Sequence, residues 1–223
     1  MVTAIIVAAG KSDRMGPGTD KAFLNLGSRP VIAWSLLAFE RCADIDQIVL
    51  VVRKDQQTAA KALARMFGIS KLHAIAPGGK ERQDSVMAGL KAADSDTRVI
   101  VVHDGARPCI KPETISEVVK LARRSGAAVI GHRICDTVKF VEKGLVIDHT
   151  EDRSKLWAVQ TPQAFNFRTL ANAYKNLGKN DVTDDCQAVE LAGETVRIYE
   201  NRAPNFKITT VEDLQIASAL LAK

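Results

Sequence analysis

The sequence has no apolar run near the roughly 20 residues that a membrane-spanning helix needs. Its opening, "MVTAIIVAAGKS", lacks a basic segment before the apolar stretch and is too short for a secretory leader, so it reads as a first strand. The cysteines, Cys42, Cys109, Cys135 and Cys186, lie far apart with no paired spacing. That argues against a zinc site or disulfide framework and fits a cytoplasmic protein in a reducing compartment. No block of five basic residues occurs, so a nucleic-acid groove is not indicated. The net charge of +5 comes from scattered residues. Such an excess also suits a small, highly anionic substrate, which converging cations focus. Repeats, low-complexity tracts and linkers are absent, so the 223 residues are expected to form one domain.

What is present is a rhythm. Runs rich in Val and Ile recur as "TAIIVA" (3–8), "QIVLVV" (47–52), "KLHAIA" (71–76) and "RVIVVH" (98–103). Continuous apolar runs suit strands buried on both faces, hence parallel strands under helices. Helical patterns alternate with them. Pro30 opens "VIAWSLLAFERC"; Asp55 is expected to cap "QQTAAKALARMF", which Gly68 ends; "ERQDSVMAGLKAA" follows a Pro-Gly-Gly turn; "KPETISEVVKLARRSG" runs from Pro112 to Gly126. This order predicts an α/β fold with a doubly wound, mostly parallel sheet and ligand at the carboxyl ends of the strands. After about residue 127 strand-like segments dominate, and "KFVEKGLVIDHT" reads as a hairpin turning at Glu142-Lys143-Gly144. Helices resume at about 167–176 and 184–192, "TVRIYE" is a late strand, and Thr210 opens an acidic first turn in the last helix. The protruding hairpin arm, about 136–157, is poorly stable alone, so a partner subunit is expected to cover it.

The stretch "VAAGKSDRMGPGTDKAF" contains Gly10-Lys11-Ser12, the close of a Walker A motif, but the required earlier glycine is Ile5. A dinucleotide fingerprint fails because position 12 is Ser. What remains is a buried strand entering a small-residue turn, Ala8-Ala9-Gly10, followed by Lys11, Arg14 and Lys21. Small residues allow close backbone approach to a ligand, and Arg and Lys can grip phosphate oxygens. A solvated surface loop explains this segment equally well. In "VIVVHDGARP", Asp104 stands just past a strand. It is either a magnesium ligand working with substrate phosphates or a turn former or helix cap. The four histidines have no metal-ligand spacing and read as structural, and Trp34 and Trp157 as core or interface residues.

In combination, "AAGKSDRM", Lys21, "GGKERQDSV", "VHDGARP", "DTVK", "TEDRSKLW", "QTPQAF", "TDD" and "NFKIT" resemble the 2-C-methyl-D-erythritol 4-phosphate cytidylyltransferases of non-mevalonate isoprenoid synthesis. The pieces occur in order over essentially the whole chain; "HDGARP" with "TPQAF" is the specific part. The resemblance implies a Rossmann-like nucleotidyltransferase that moves CMP from CTP to methylerythritol phosphate and releases pyrophosphate. It implies that Arg14 and Lys21 stabilise the transition state and that Arg153 and Lys207 hold the acceptor phosphate. Asp104 would bind Mg²⁺. Ala8, Ala9 and Gly10 would lie against the nucleoside, with Gly79, Lys80 and Ser85 reading the base. Thr137, Thr161 and Thr183 would line the acceptor site, supported by Arg107, and the arm would join a homodimer, carrying Thr137 and Arg153 into the neighbour's site. Four positions depart from the family's usual pattern: Ser12 replaces a glycine, Asp20 and Ala22 flank Lys21 where Pro and Gln are usual, and Lys80 replaces an acidic residue. A cytidylyltransferase for ribitol 5-phosphate is the nearest alternative, against which Ala106 speaks; a catalytically inactive nucleotide-binding protein would not need Arg14, Lys21, Asp104 and Lys207.

Overall fold

The computed structural model describes residues 1–10, 21–178 and 180–222. The first strand, β1 (Val2–Ala8), is buried on both faces: Ala4 and Ile6 point into one core and Ile5 into the other. Period-two alternation between two apolar layers is what makes the run continuously hydrophobic. Beyond a two-residue antiparallel pair, β2 (Asn25–Leu26) and β3 (Arg29–Pro30), helix α1 (Val31–Arg41) starts directly after Pro30. β4 (Gln47–Val52), α2 (Gln57–Met66), β5 (Leu72–Pro77), α3 (Arg82–Ala92), β6 (Val99–Asp104) and α4 (Pro112–Ser125) continue the alternation. Gly126 ends α4 at φ +86°, its N–H donating to the Ala122 carbonyl, a backbone region where a side chain is strained.

One expected cap is corrected. Asp55 does not cap α2: the cap position is Gln56, without a side-chain bond, and Asp55 sits in the preceding 3-10 turn (Lys54–Gln56). Its carboxylate is taken by Arg53, two residues away, at 2.9 Å. A nearby guanidinium competes for the oxygen that a cap would need.

β7 (Ala127–Arg133) leads into the arm, β8 (Lys139–Phe140) and β9 (His149–Thr150), and β10 (Trp157–Asn166) returns to the sheet. Helices α5 (Phe167–Asn176) and α6 (Asp185–Leu191), strand β11 (Arg197–Glu200) and helix α7 (Val211–Leu221) complete the chain. Thr210 caps α7 in a reciprocal box with Asp213. The main sheet has seven strands in the order β11-β7-β10-β6-β1-β4-β5. All neighbours run parallel except β10, which is antiparallel to both β6 and β7. Helices α1, α2 and α4 cover one face through Leu36, Phe39, Leu63 and Val118, while α3, α5 and α6 cover the other through Val86, Leu170 and Val189. From β1 the chain reaches β4 on one side and β6 on the other, so the carboxyl ends of β1 and β6 flank a switch point, with Val7 in register with Asp104.

In the arm, Lys139 pairs with Thr150 and Phe140 with His149, whose rings stack at 4.9 Å. Gly144 adopts φ +69° within the expected turn. Its tip exposes Leu145 and Val146, at 98% and 73% of their surface.

Candidate active site

At that switch point lies a cavity of about 230 Å³. Its lining brings together Ala8, Ala9, Gly10, Lys21, Gly79, Lys80, Ser85, Asp104 and Lys207 from the residues expected at the site. Ala8 to Gly10 arrive on the end of β1, Asp104 on the end of β6, and Gly79 to Ser85 on the turn into α3 and its first residues. The turn is packed tightly against the first loop: a Cβ on Gly78 would stand 2.2 Å from the Ala9 Cβ and 2.8 Å from the Ser85 Oγ. Ser85 is buried, and its hydroxyl accepts from the Gly79 N–H at 3.2 Å and donates to the Glu81 carbonyl at 3.3 Å.

Asp104 is the electrostatic centre. Lys207 Nζ lies 2.9 Å from its Oδ2, Arg82 Nε 3.3 Å from Oδ1, and Arg107 Nε 3.6 Å from Oδ2. Burial alone would raise the carboxyl's pKa, but Lys207, then Arg82 and Arg107, outweigh it and hold Asp104 well below the usual carboxylate range. Arg82 also pairs with the fully buried Asp185 at 2.8 Å. Burial opposes its charge, yet Asp185 and Asp104 together push its pKa up.

The loop after β6 is pinned from several directions. Gly105 N–H donates to the Val7 carbonyl, Ile208 N–H to the Ala106 carbonyl, and the Ser35 hydroxyl to the carbonyl of Gly105. Arg107 donates from Nη1 to the Asn205 carbonyl at 2.8 Å. His103 is fully buried, and burial pushes its pKa down to about 3, so it is neutral. Its Nε2 faces the Arg107 carbonyl at 3.3 Å, which only accepts, so the proton sits on Nε2. Nδ1 therefore accepts from the Thr161 hydroxyl at 3.1 Å, and that oxygen accepts the Asp104 backbone N–H at 3.0 Å.

A chain from β6 through β10 thus holds the carboxylate of Asp104 at the cleft. The sequence profile of the 2-C-methyl-D-erythritol 4-phosphate cytidylyltransferase family (IspD) matches residues 2–223. The chain belongs to that family. A cytidylyltransferase of this name from Desulforamulus reducens is 42% identical, covering 100% of this chain and 96% of its own. One from Alkaliphilus oremlandii is 39% identical, covering 98% and 94%. The crystal structure of the 4-diphosphocytidyl-2C-methyl-D-erythritol synthase from Anaerococcus prevotii superposes with a TM-score of 0.88 at 30% identity, covering 100% of this chain and 98% of that one. The Thermus thermophilus cytidylyltransferase gives 0.80 at 30% identity, covering 98% of each chain. The protein is accordingly a nucleotidyltransferase with the family's sheet.

Not every expected residue reaches the cleft of this cytidylyltransferase. Arg14, like Lys11, Ser12 and Asp20, lies outside the described residues. Arg107 stands beside Asp104, 3.6 Å from its Oδ2, with Nη1 donating to the Asn205 carbonyl, and the Thr161 hydroxyl is engaged by His103 and the Asp104 N–H. Thr183 is exposed at the start of α6, bonded through its N–H and hydroxyl to Gln187, while Asp184 caps that helix. Arg153 lies at the foot of the arm, donating to the Cys135 carbonyl, and Thr137 lies between β7 and β8; neither lines the cleft. Arg82 was missed by sequence reasoning. Its signal was a cation at the first helical residue after a Pro-Gly-Gly turn, where the helix dipole disfavours positive charge.

Proposed function

We propose that this chain transfers CMP from CTP to the phosphate of 2-C-methyl-D-erythritol 4-phosphate, giving 4-diphosphocytidyl-2-C-methyl-D-erythritol and pyrophosphate. The observation that carries the reading is a carboxylate at the sheet's switch point held among Lys207, Arg82 and Arg107, in a family member whose cleft also presents Lys21. An oxygen of the acceptor phosphate attacks the α-phosphorus of CTP in line. The bond to the bridging oxygen breaks, and pyrophosphate leaves with that electron pair. No covalent enzyme intermediate is needed, so the protein supplies position and charge.

In this reading Lys21 and Arg14 stabilise charge at the α-phosphorus, and Lys207 and Arg153 hold the acceptor phosphate. Ala8, Ala9 and Gly10 lie against the nucleoside, while Gly79, Lys80 and Ser85 present groups to the base. Thr137 and Thr183 border the acceptor. Arg107 supports it from beside Asp104, its Nη1 donating to the Asn205 carbonyl, and Thr161 serves it at one remove, its hydroxyl engaged by His103 and the Asp104 N–H. A second copy would cover the exposed arm and receive Thr137 and Arg153 beside its own cleft.

Among the described residues no group of three or more His, Cys, Asp or Glu side chains could cage a metal. The ionised carboxylate of Asp104 at the cleft fits Mg²⁺ in its other habit, with one or two carboxylates and the rest of its shell from water and substrate phosphates. Asp104 would hold it, and the ion would neutralise phosphate charge. No helix of the described residues is long and apolar enough to cross a membrane. The free thiols of Cys42, Cys109, Cys135 and Cys186 suit a reducing cytoplasm.

The test is pyrophosphate release with CTP, Mg²⁺ and either methylerythritol phosphate or ribitol 5-phosphate. Release that requires methylerythritol phosphate and collapses in Lys21→Ala supports the assignment. Release with ribitol 5-phosphate alone overturns it. CTP binding without release would mark a silent binder.

A further inference from the structure

Arg82 is oddly placed for a helix. It is the first residue of α3, beside the positive end of the dipole, while the local capping box is made by Glu81 and Asp84. Two carboxylates from outside the helix hold it there: Asp104 at 3.3 Å and Asp185 at 2.8 Å. Asp185 is the better anchored of the two. Its side chain has no exposed surface and accepts the Tyr174 hydroxyl at 2.6 Å. Its backbone N–H and that of Cys186 both donate to Gln163 Oε1, at 3.1 and 3.2 Å, and Gln163 Nε2 donates to Asp184 at 2.8 Å. Gln163, itself buried, stands on β10, so Asp185 is fixed to the sheet through its main chain and to α5 through its carboxylate.

Such an arrangement is poorly explained by stability. A buried ion pair is often no more stable than an apolar pair of similar volume. Arg82 nevertheless keeps about a quarter of its side chain exposed, at 24%, and lines the cleft. We propose that Asp185, backed by Tyr174 and Gln163, is a positioning residue that holds the Arg82 guanidinium at the cleft wall to bind the triphosphate of the nucleotide. The inference rests on the reading of this cleft as the nucleotide site.

The physical reason is competition between two carboxylates for one fork of donors. Asp185 pulls Arg82 from behind while Asp104 pulls it across the cleft, and Asp104 already holds Lys207 and Arg107. With the charge on Asp185 removed, the guanidinium is drawn wholly onto Asp104. The wall then loses a cation. The pairing also explains why Gln163 of "QTPQAF" and Asp185 of "TDD" accompany the arginine of "GGKERQDSV": they are three parts of one support.

The experiment measures CTP affinity in Mg²⁺ without acceptor, by calorimetric titration, followed by steady-state kinetics. Asp185→Asn keeps the shape and removes the charge, and Tyr174→Phe keeps the ring and removes one hydrogen bond. The expected loss of CTP affinity is about tenfold for Asp185→Asn and about threefold for Tyr174→Phe, the scale of a displaced charged hydrogen bond. KM for CTP rises in parallel, whereas kcat and the acceptor KM stay within about twofold, the signature of binding shared by ground and transition states. In an Arg82→Lys background, Asp185→Asn adds less than about twofold, because a lysine point charge does not bridge two carboxylates. Folded variants that bind CTP as tightly as the wild type overturn the proposal, as do penalties that simply multiply with Arg82→Lys. Should Asp185→Asn fail to fold, Tyr174→Phe decides. A wild type that binds CTP but turns over no methylerythritol phosphate defeats the functional reading while the positioning test stands; a wild type without CTP affinity defeats both.

Discussion

The cleft and the arm are built by opposite means. At the cleft, Asp104, Asp185, His103 and Thr161 are buried polar groups, each held by partners from distant parts of the chain. In the arm, two short strands make local contacts within a dozen residues, and apolar side chains such as Leu145 and Val146 face outward. Buried polar groups cost several kcal/mol unless fully partnered, so the cleft tolerates little change. Exposed apolar groups cost the single chain little, and the arm's apolar tip is the surface that the proposed second copy would cover. The polar groups of the cleft find their partners within the chain, whereas the apolar tip of the arm is left exposed.

The largest expected effect is at the centre of the cleft. Asp104→Asn leaves Lys207, Arg82 and Arg107 facing one another and should cost about 3–5 kcal/mol at pH 7, as breaking a buried ion pair does. Because the folded pKa of Asp104 is depressed, its contribution is present above the unfolded value of about 3.9 and fades as pH falls below it. Denaturant unfolding at pH 7 and pH 2.5 should therefore show the gap between wild type and variant closing in acid. A gap that stays constant would mean that the charge is not what matters.

Lys21→Ala should lower turnover by about 10² to 10³, the scale of one preorganised charge at a transition state. Pyrophosphate release measures it, and a loss below tenfold would move the catalytic weight elsewhere.

His103 gives a smaller effect with its own pH signature. Its pKa is about 3 in the fold, far below the unfolded value of about 6.5. Between these values the unfolded chain binds the extra proton, so stability rises with pH by up to about 1.4 kcal/mol per unit from this group alone. His103→Gln should remove that slope over the same window. An unchanged slope in equilibrium unfolding would show that the imidazole is not the neutral, buried group described.

The smallest effect belongs to the arm. Leu145→Ser should change the stability of the dilute chain by no more than about 0.5 kcal/mol, as at other exposed positions. In sedimentation it should weaken self-association markedly. A wild type that stays monomeric at high concentration would break the contrast between the two regions.

The elements of the fold were largely legible from local pattern. The runs at 47–52 and 98–103 appear as Gln47–Val52 and Val99–Asp104, and Gly126 ends its helix as expected. Asp55 misled because a cap depends on which neighbour claims the oxygen, and Arg53 does. At the site, Lys21, Asp104 and Lys207 were legible by type and motif. Arg82 was not, because its meaning comes from Asp185, a residue 103 positions away.

By itself, the order of apolar runs, glycines and prolines determined a strand–helix alternation with small residues and charges at the carboxyl ends. Those are short-range preferences: two-faced burial, fixed proline φ, and the freedom of glycine. Only the tertiary structure decided that one antiparallel strand, β10, would enter between β6 and β7, placing Thr161 under Asp104 and Gln163 under Asp185. Pairings of that kind depend on strand order and register, which no local pattern encodes. They are held by the cost of leaving a buried charge without a partner.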